Sequence, residues 1–137
     1  MGYAEVVLNE TGHGVAFASE RASQSSGFER PLTLIVTTDD FGESWKPSLT
    51  IEAVTRDVQI VNDNLYAVTG AGLFQKYSLR GEWKLTSKRP DLCRLALLDD
   101  RQGFVASTTG ELLVTRNSGR SFRRVLPAGN ARDISFR

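Results

Sequence analysis

Apolar residues in this chain come in short runs, most of them alternating with polar ones, and each run is closed by turn-forming residues. The stretch from Arg94 onward is the clearest. Arg94 to Leu98 reads as an apolar strand, followed by a turn at Asp99-Asp100-Arg101-Gln102-Gly103. Phe104–Ser107, a Thr109-Gly110 turn, Leu112–Thr115, a further turn and Phe122–Leu126 complete the set. Runs rich in β-branched and aromatic residues between Gly, Asp and Asn clusters predict strands. The same count of four precedes it at Val58–Val61, Leu65–Thr69, Leu73–Ser78 and Trp83–Ser87. A first set falls at Ala4–Asn9, Val15–Ser19, Leu32–Thr38 and Trp45–Thr50, with a long polar insertion, Glu20 to Pro31, in place of its second turn. No window sustains apolar residues at i, i+3, i+4 and i+7, so no helix is expected.

The turn before each fourth strand repeats as well. Thr38-x-Asp40-x-Gly42-x-Ser44-Trp45 matches Thr115-x-Asn117-x-Gly119-x-Ser121-Phe122 position for position, and Tyr77 to Trp83 is a degenerate copy. The closing aromatics Trp45, Trp83 and Phe122 are 38 and 39 residues apart. Four strands per repeat of this length is the size of a propeller blade. Ala131-Arg132-Asp133-Ile134-Ser135-Phe136 resembles the opening strand of the second repeat, Thr55-Arg56-Asp57-Val58-Gln59-Ile60. The expectation is one all-β domain over 1–137 with blades at about 3–50, 55–88 and 93–127, and the first strand of a fourth at 131–137.

The repeated turn, here called the box, has a physical reason for each residue. A short Asp or Asn side chain accepts N–H bonds within the turn, and the hydroxyl adds another local bond. Glycine supplies positive φ, and the aromatic buries a large area. Thr38, Asp40, Gly42, Ser44 and Trp45, with Thr115, Asn117, Gly119, Ser121 and Phe122, are therefore expected to be structural. The pattern resembles the Asp-box repeat of sialidases, sortilin-like receptors and the photosystem-II-assembly propeller family, the third repeat being most similar to the last. The resemblance implies a propeller with each box on an outer turn, and it leaves function open, since that repeat hosts unrelated activities. The middle copy departs from the pattern at its Asp and Gly positions.

Composition narrows the function. Seventeen basic and 16 acidic residues give a net charge of +1, which argues against a broad nucleic-acid or anionic-membrane surface. No run reaches the roughly 18 apolar residues of a membrane helix. One cysteine, Cys93, and one histidine, His13, make a disulfide framework or a zinc site improbable, and no cofactor or metal is expected. Cys93 sits among leucines and reads as a small buried residue; His13 reads as a solvated turn residue. The start, Met1 to Glu5, lacks a basic region followed by an apolar stretch. The default is a cytoplasmic chain, or an exported one if a leader was removed.

No nucleophile elbow, P-loop or dinucleotide fingerprint is present. A sialidase-like hydrolase would need an arginine cluster, a tyrosine nucleophile and an acid/base carboxylate around the axis. Tyr3, Tyr66 and Tyr77 all fall in strand patterns, and three blades cannot supply the whole constellation. The reading is a non-enzyme. Two features exceed packing. Arg56, Arg94 and Arg132 recur at a spacing of 38, each at or just before the opening strand of a blade. They form either a basic arc near the channel mouth, suited to an acidic loop or carboxylate, or three solvated loop arginines. The insertion carrying Arg21, Phe28 and Arg30 is either a recognition loop or decoration. Protein binding or scaffolding is the leading function, with a glycan-binding lectin-like assembly as the alternative. Open blade edges also invite self-association to close the ring, unless the chain is a piece of a longer propeller.

Overall fold

In the computed structural model, which describes residues 2–23, 29–77 and 81–126, the described residues form twelve strands and no helix. The first sheet is β1 (Gly2–Leu8), β2 (Gly14–Ser23), β3 (Glu29–Thr38) and β4 (Lys46–Ile51) in that spatial order. The second is β5 (Thr55–Val61), β6 (Asn64–Thr69), β7 (Gly72–Lys76) and β8 (Trp83–Ser87), and the third β9 (Leu92–Leu97), β10 (Gly103–Ser107), β11 (Leu112–Thr115) and β12 (Arg123–Leu126). Every neighbouring pair is antiparallel. Three four-stranded meanders in succession are propeller blades, as the repeat predicts. The segment 131–137, with Arg132, lies outside the described residues, as does Phe28.

The period of two along β6 explains why the blades stack. Leu65 and Ala67 face the core shared with the first blade, beside Val15, Phe17, Ile35 and Ile51. Tyr66 and Val68, pointing the other way, pack with Leu73, Leu92, Leu95, Val105 and Leu113 in the core shared with the third. A sheet buried on both faces needs apolar residues at successive positions, and β6 is buried from Leu65 to Thr69. Each fully buried leucine contributes about 1.5–3 kcal/mol relative to exposure, so the two inter-blade layers hold the array together.

One expectation needs correcting. The polar segment 20–31 is not a loop over most of its length. β2 and β3 keep pairing beyond the sheet, with Glu20 opposite Leu32, Arg21 opposite Pro31, Ala22 opposite Arg30 and Ser23 opposite Glu29. In the described residues β1 reaches Ser19 and β4 reaches Thr33, so the ribbon overhangs both neighbours. Continued pairing satisfies backbone groups that a loop would leave to water. A ribbon without a third layer needs no apolar face, so its sequence lacks the alternation that marks a strand.

Candidate functional site

The first strands of the three blades lie side by side and run in the same direction, bridged by side chains rather than by a backbone ladder. The Val58 N–H donates to Glu5 Oε2 (3.2 Å) and the Leu95 N–H to Asp57 Oδ2 (2.8 Å). Two residues on, Gln59 accepts from the Leu97 N–H (3.4 Å) and donates its amide to the Leu95 carbonyl. An edge strand's unpaired groups are costly when buried, and these side chains satisfy them. Asp57 is buried, at 3% exposure. Burial pushes its pKa up to about 7; the Leu95 N–H opposes the rise, the Glu5 carboxyl adds to it, and Arg94 eases it. The sequence signal for this bridge is an acid inside an apolar opening strand, one repeat away from Leu95.

Of the expected basic arc, Arg56 is half-buried and already engaged. Its guanidinium donates to the carbonyls of Pro90 (2.7 Å) and Leu92 (2.9 Å), clipping the second blade to the lead-in of the third. Arg94 is exposed on β9. Antiparallel connectivity puts the β2–β3 turn at the end of the sheets where β5 and β9 begin. The backbone positions of Arg21 and Arg30, on the overhanging ribbon, therefore share an end with Arg56 and Arg94.

The box turns occupy the opposite end. In the first blade the Thr38 hydroxyl donates to Asp40 Oδ1 (2.7 Å) and accepts from the N–H groups of Asp40 (3.3 Å) and Gly42 (3.1 Å). Asp40 accepts from the Ser44 N–H (2.9 Å) and from its hydroxyl. Those Ser44 bonds hold the Asp40 carboxyl down at about 2. The third blade repeats the network through Thr115, Asn117, Gly119 and Ser121, with one inversion: the Asn117 amide donates to the Ser121 oxygen (2.8 Å). Phe41 and Gly42 have φ of 60° and 84°, Ser118 and Gly119 64° and 85°. Each turn is pinned to the first hairpin of its own blade, Phe41 N–H to the Gly12 carbonyl (2.9 Å) and Ser118 N–H to the Arg101 carbonyl (2.9 Å). The closing aromatics are half-buried: Trp45 lies over Gly42 and Phe122 against the second core.

Three single residues settle smaller expectations. Tyr66 is fully buried, its hydroxyl donating to the Asp100 carbonyl (3.2 Å) and its pKa pushed up to about 12 by burial; it is a core residue. Cys93 is only half-buried, between the buried Leu92 and Arg94. His13 is not simply solvated: its Nδ1 lies 2.7 Å from Asp63 Oδ1, tying the first hairpin turns of the first two blades together.

No protein-family model matches the sequence, and no curated protein matches it. Among solved structures the chain is similar to YCF48 from Cyanidioschyzon merolae, with a TM-score of 0.64 and 16% identity, over 89% of this chain and 36% of that one. It is also similar to a structure titled YCF48 bound to D1 peptide, with a TM-score of 0.67 and 12% identity, over 89% of this chain and 40% of that one. The fold is that of β-propeller blades. The chain spans less than half the length of either neighbour.

Proposed function

We propose that the chain is a non-catalytic protein-binding or scaffolding unit built of Asp-box blades, which recognises its partner at the end of the sheets where the first strands begin. Arg94 and Arg56 sit at that end on the first strands, and the overhanging ribbon carries the backbone positions of Arg21 and Arg30; Phe28 and Arg132, outside the described residues, complete the proposed set. The observation that carries the reading is the overhang, which gives a rigid sheet scaffold a projecting ribbon at the same end as an exposed inner-strand arginine. Rigid scaffolds with projecting segments are favourable recognition surfaces, and arginine is suited to carboxylates of an acidic segment. A solved neighbour of the same fold is described as bound to a peptide, which supports a protein partner. The lectin alternative gains nothing from the tryptophans, since the Trp83 indole N–H is used by Ser48 Oγ (2.7 Å).

Fluorescence anisotropy with an acidic peptide ending in a free carboxylate tests the proposal. Arg94→Glu is expected to weaken binding about tenfold or more, with circular dichroism to verify that the variant is folded, since Arg94 also eases the charge of Asp57. Undiminished binding by Arg94→Glu and by a variant with residues 24–28 replaced by a short Gly-Ser turn would reject it.

A further inference from the structure

A second concentration of positive charge lies at the box end of the sheets, away from the strand starts that carry Arg56 and Arg94. A cleft of about 420 Å³ opens there between Tyr77, at the end of the second blade's third strand, and two turns of the third blade. Arg101 comes from the β9–β10 turn, and Arg116 and Arg120 from the box turn. The frame beneath them is fixed. The Ser118 N–H donates to the Arg101 carbonyl (2.9 Å), and the Ser118 hydroxyl donates to the Asp100 carbonyl (2.6 Å).

The guanidinium groups are a different matter. Three other arginines among the described residues have internal partners. Arg89 pairs with Asp91 (2.8 Å) and Glu111 (3.6 Å), Arg124 reaches Glu111 (3.9 Å), and Arg56 holds two carbonyls. Among the described residues, Arg101, Arg116 and Arg120 make no salt bridge and no side-chain hydrogen bond. Nor does the turn require them. The positions of Arg116 and Arg120 are Asp39 and Glu43 in the first blade, on the same backbone and, the Asn117–Ser121 inversion apart, with matching internal bonds. Three arginines against the one lining carboxylate, Asp100, leave a lining charge of +2, with Asp99 just outside the lining facing Arg101.

We propose that this cleft binds a tetrahedral oxyanion dianion, a phosphate monoester group, with Arg101, Arg116 and Arg120 as its donors and Tyr77 as a wall. Planar guanidinium forks match the paired oxygens of phosphate, and a dianion balances the lining charge where a single carboxylate would leave it in excess. The volume is at the small end of ligand pockets, enough for the phosphoryl group and the side chain or small molecule that carries it. A smaller cleft of about 290 Å³ shares Arg116 and adds Arg123, giving room for what flanks that group. The site stands apart from the partner-binding end, so either can fail alone.

Calorimetric titration at low ionic strength, with inorganic phosphate and with a phosphoserine peptide, tests this directly. The same peptide with glutamate in place of phosphoserine is the control. Saturable binding is expected, with the phosphoserine peptide favoured over the glutamate one by about tenfold or more. The double variant Arg116→Gln/Arg120→Gln should lose about tenfold or more of that affinity at an unchanged melting temperature. Arg120→Lys, which keeps the charge and loses the fork, should fall between. Phosphate binding as tightly as the peptide assigns a small-molecule ligand, and a tighter peptide assigns a phosphorylated partner; both support the site. Absence of saturable binding by either, equal affinity for the glutamate peptide, or unchanged binding by the double variant would overturn it.

Discussion

The box turns of the first and third blades share one backbone and one hydrogen-bond plan, yet they meet different surroundings. In the first, Gly42 is half-buried and a methyl group there would meet only the Trp45 ring, at 3.5 Å. In the third, Gly119 is buried against Leu73, a core residue of the second blade. The turn is thus a local solution that the chain reuses, while its energetic weight depends on whether a neighbouring blade lies beneath it. The surface positions diverge too: Asp39 and Glu43 in one, Arg116 and Arg120 in the other. What the turn needs for folding is constant, and what it presents to solvent is free to vary.

The largest separation between the two should come from glycine. Gly42→Ala forces a side chain into positive φ, which costs about 1–2 kcal/mol. Gly119→Ala carries the same strain and also drives its methyl into Leu73, which at 1% exposure has no room to move. Overpacking adds about 1–3 kcal/mol, for a total of about 2–5. Urea unfolding of the two variants should place Gly119→Ala clearly below Gly42→Ala. Equal midpoints would mean the third turn can lift off the second blade, and the comparison would then fail.

That difference also marks what could be read in advance. The strands, the three repeats and the residues of the box follow from alternation and spacing, because they report contacts within one blade. Contacts between blades leave no such trace. Asp57 bonds Leu95 and Glu5 bonds Val58 across 38 and 53 residues, and nothing local in either segment announces the partner. Arg56 stood out by its spacing, but its hydrogen bonds to Pro90 and Leu92 depend on where the third blade's lead-in passes. The ribbon formed by β2 and β3 was hidden for the opposite reason: with no layer to pack against, its polar sequence looks like a loop.

A smaller contrast is expected at the threonines. Thr115 and Thr38 each accept two backbone N–H groups of their own turn. Replacement by valine keeps the shape and orphans those donors. The Gly119 N–H is buried, so Thr115→Val should cost about 1–3 kcal/mol, the penalty of an unsatisfied buried donor. The Gly42 N–H is only part-buried and can turn to water, so Thr38→Val should cost about 1 kcal/mol or less. Amide exchange gives the finer readout. Gly119 should lose its protection in Thr115→Val by a larger factor than Gly42 does in Thr38→Val, and the reverse order would break the argument from burial.

The least effect, and the most specific, concerns pH. Asp40 titrates and Asn117 does not, although they hold equivalent places. The Asp40 pKa is lowered in the folded chain to about 2 from 3.8. Its carboxylate therefore supports the turn above the unfolded value, and that support is lost as pH falls from about 4 through about 2. Over this range the Ser44 amide proton shift should move with an apparent pKa of about 2, while that of Ser121 stays flat. Asp40→Asn should flatten the first curve with little change in neutral stability, because the amide can donate to Ser44 as Asn117 does to Ser121. The reciprocal Asn117→Asp should give Ser121 the low-pH transition that Ser44 loses. If the two substitutions fail to exchange the two curves, the hydrogen-bond plans of the turns are not equivalent, and the shared frame argued from their geometry is wrong.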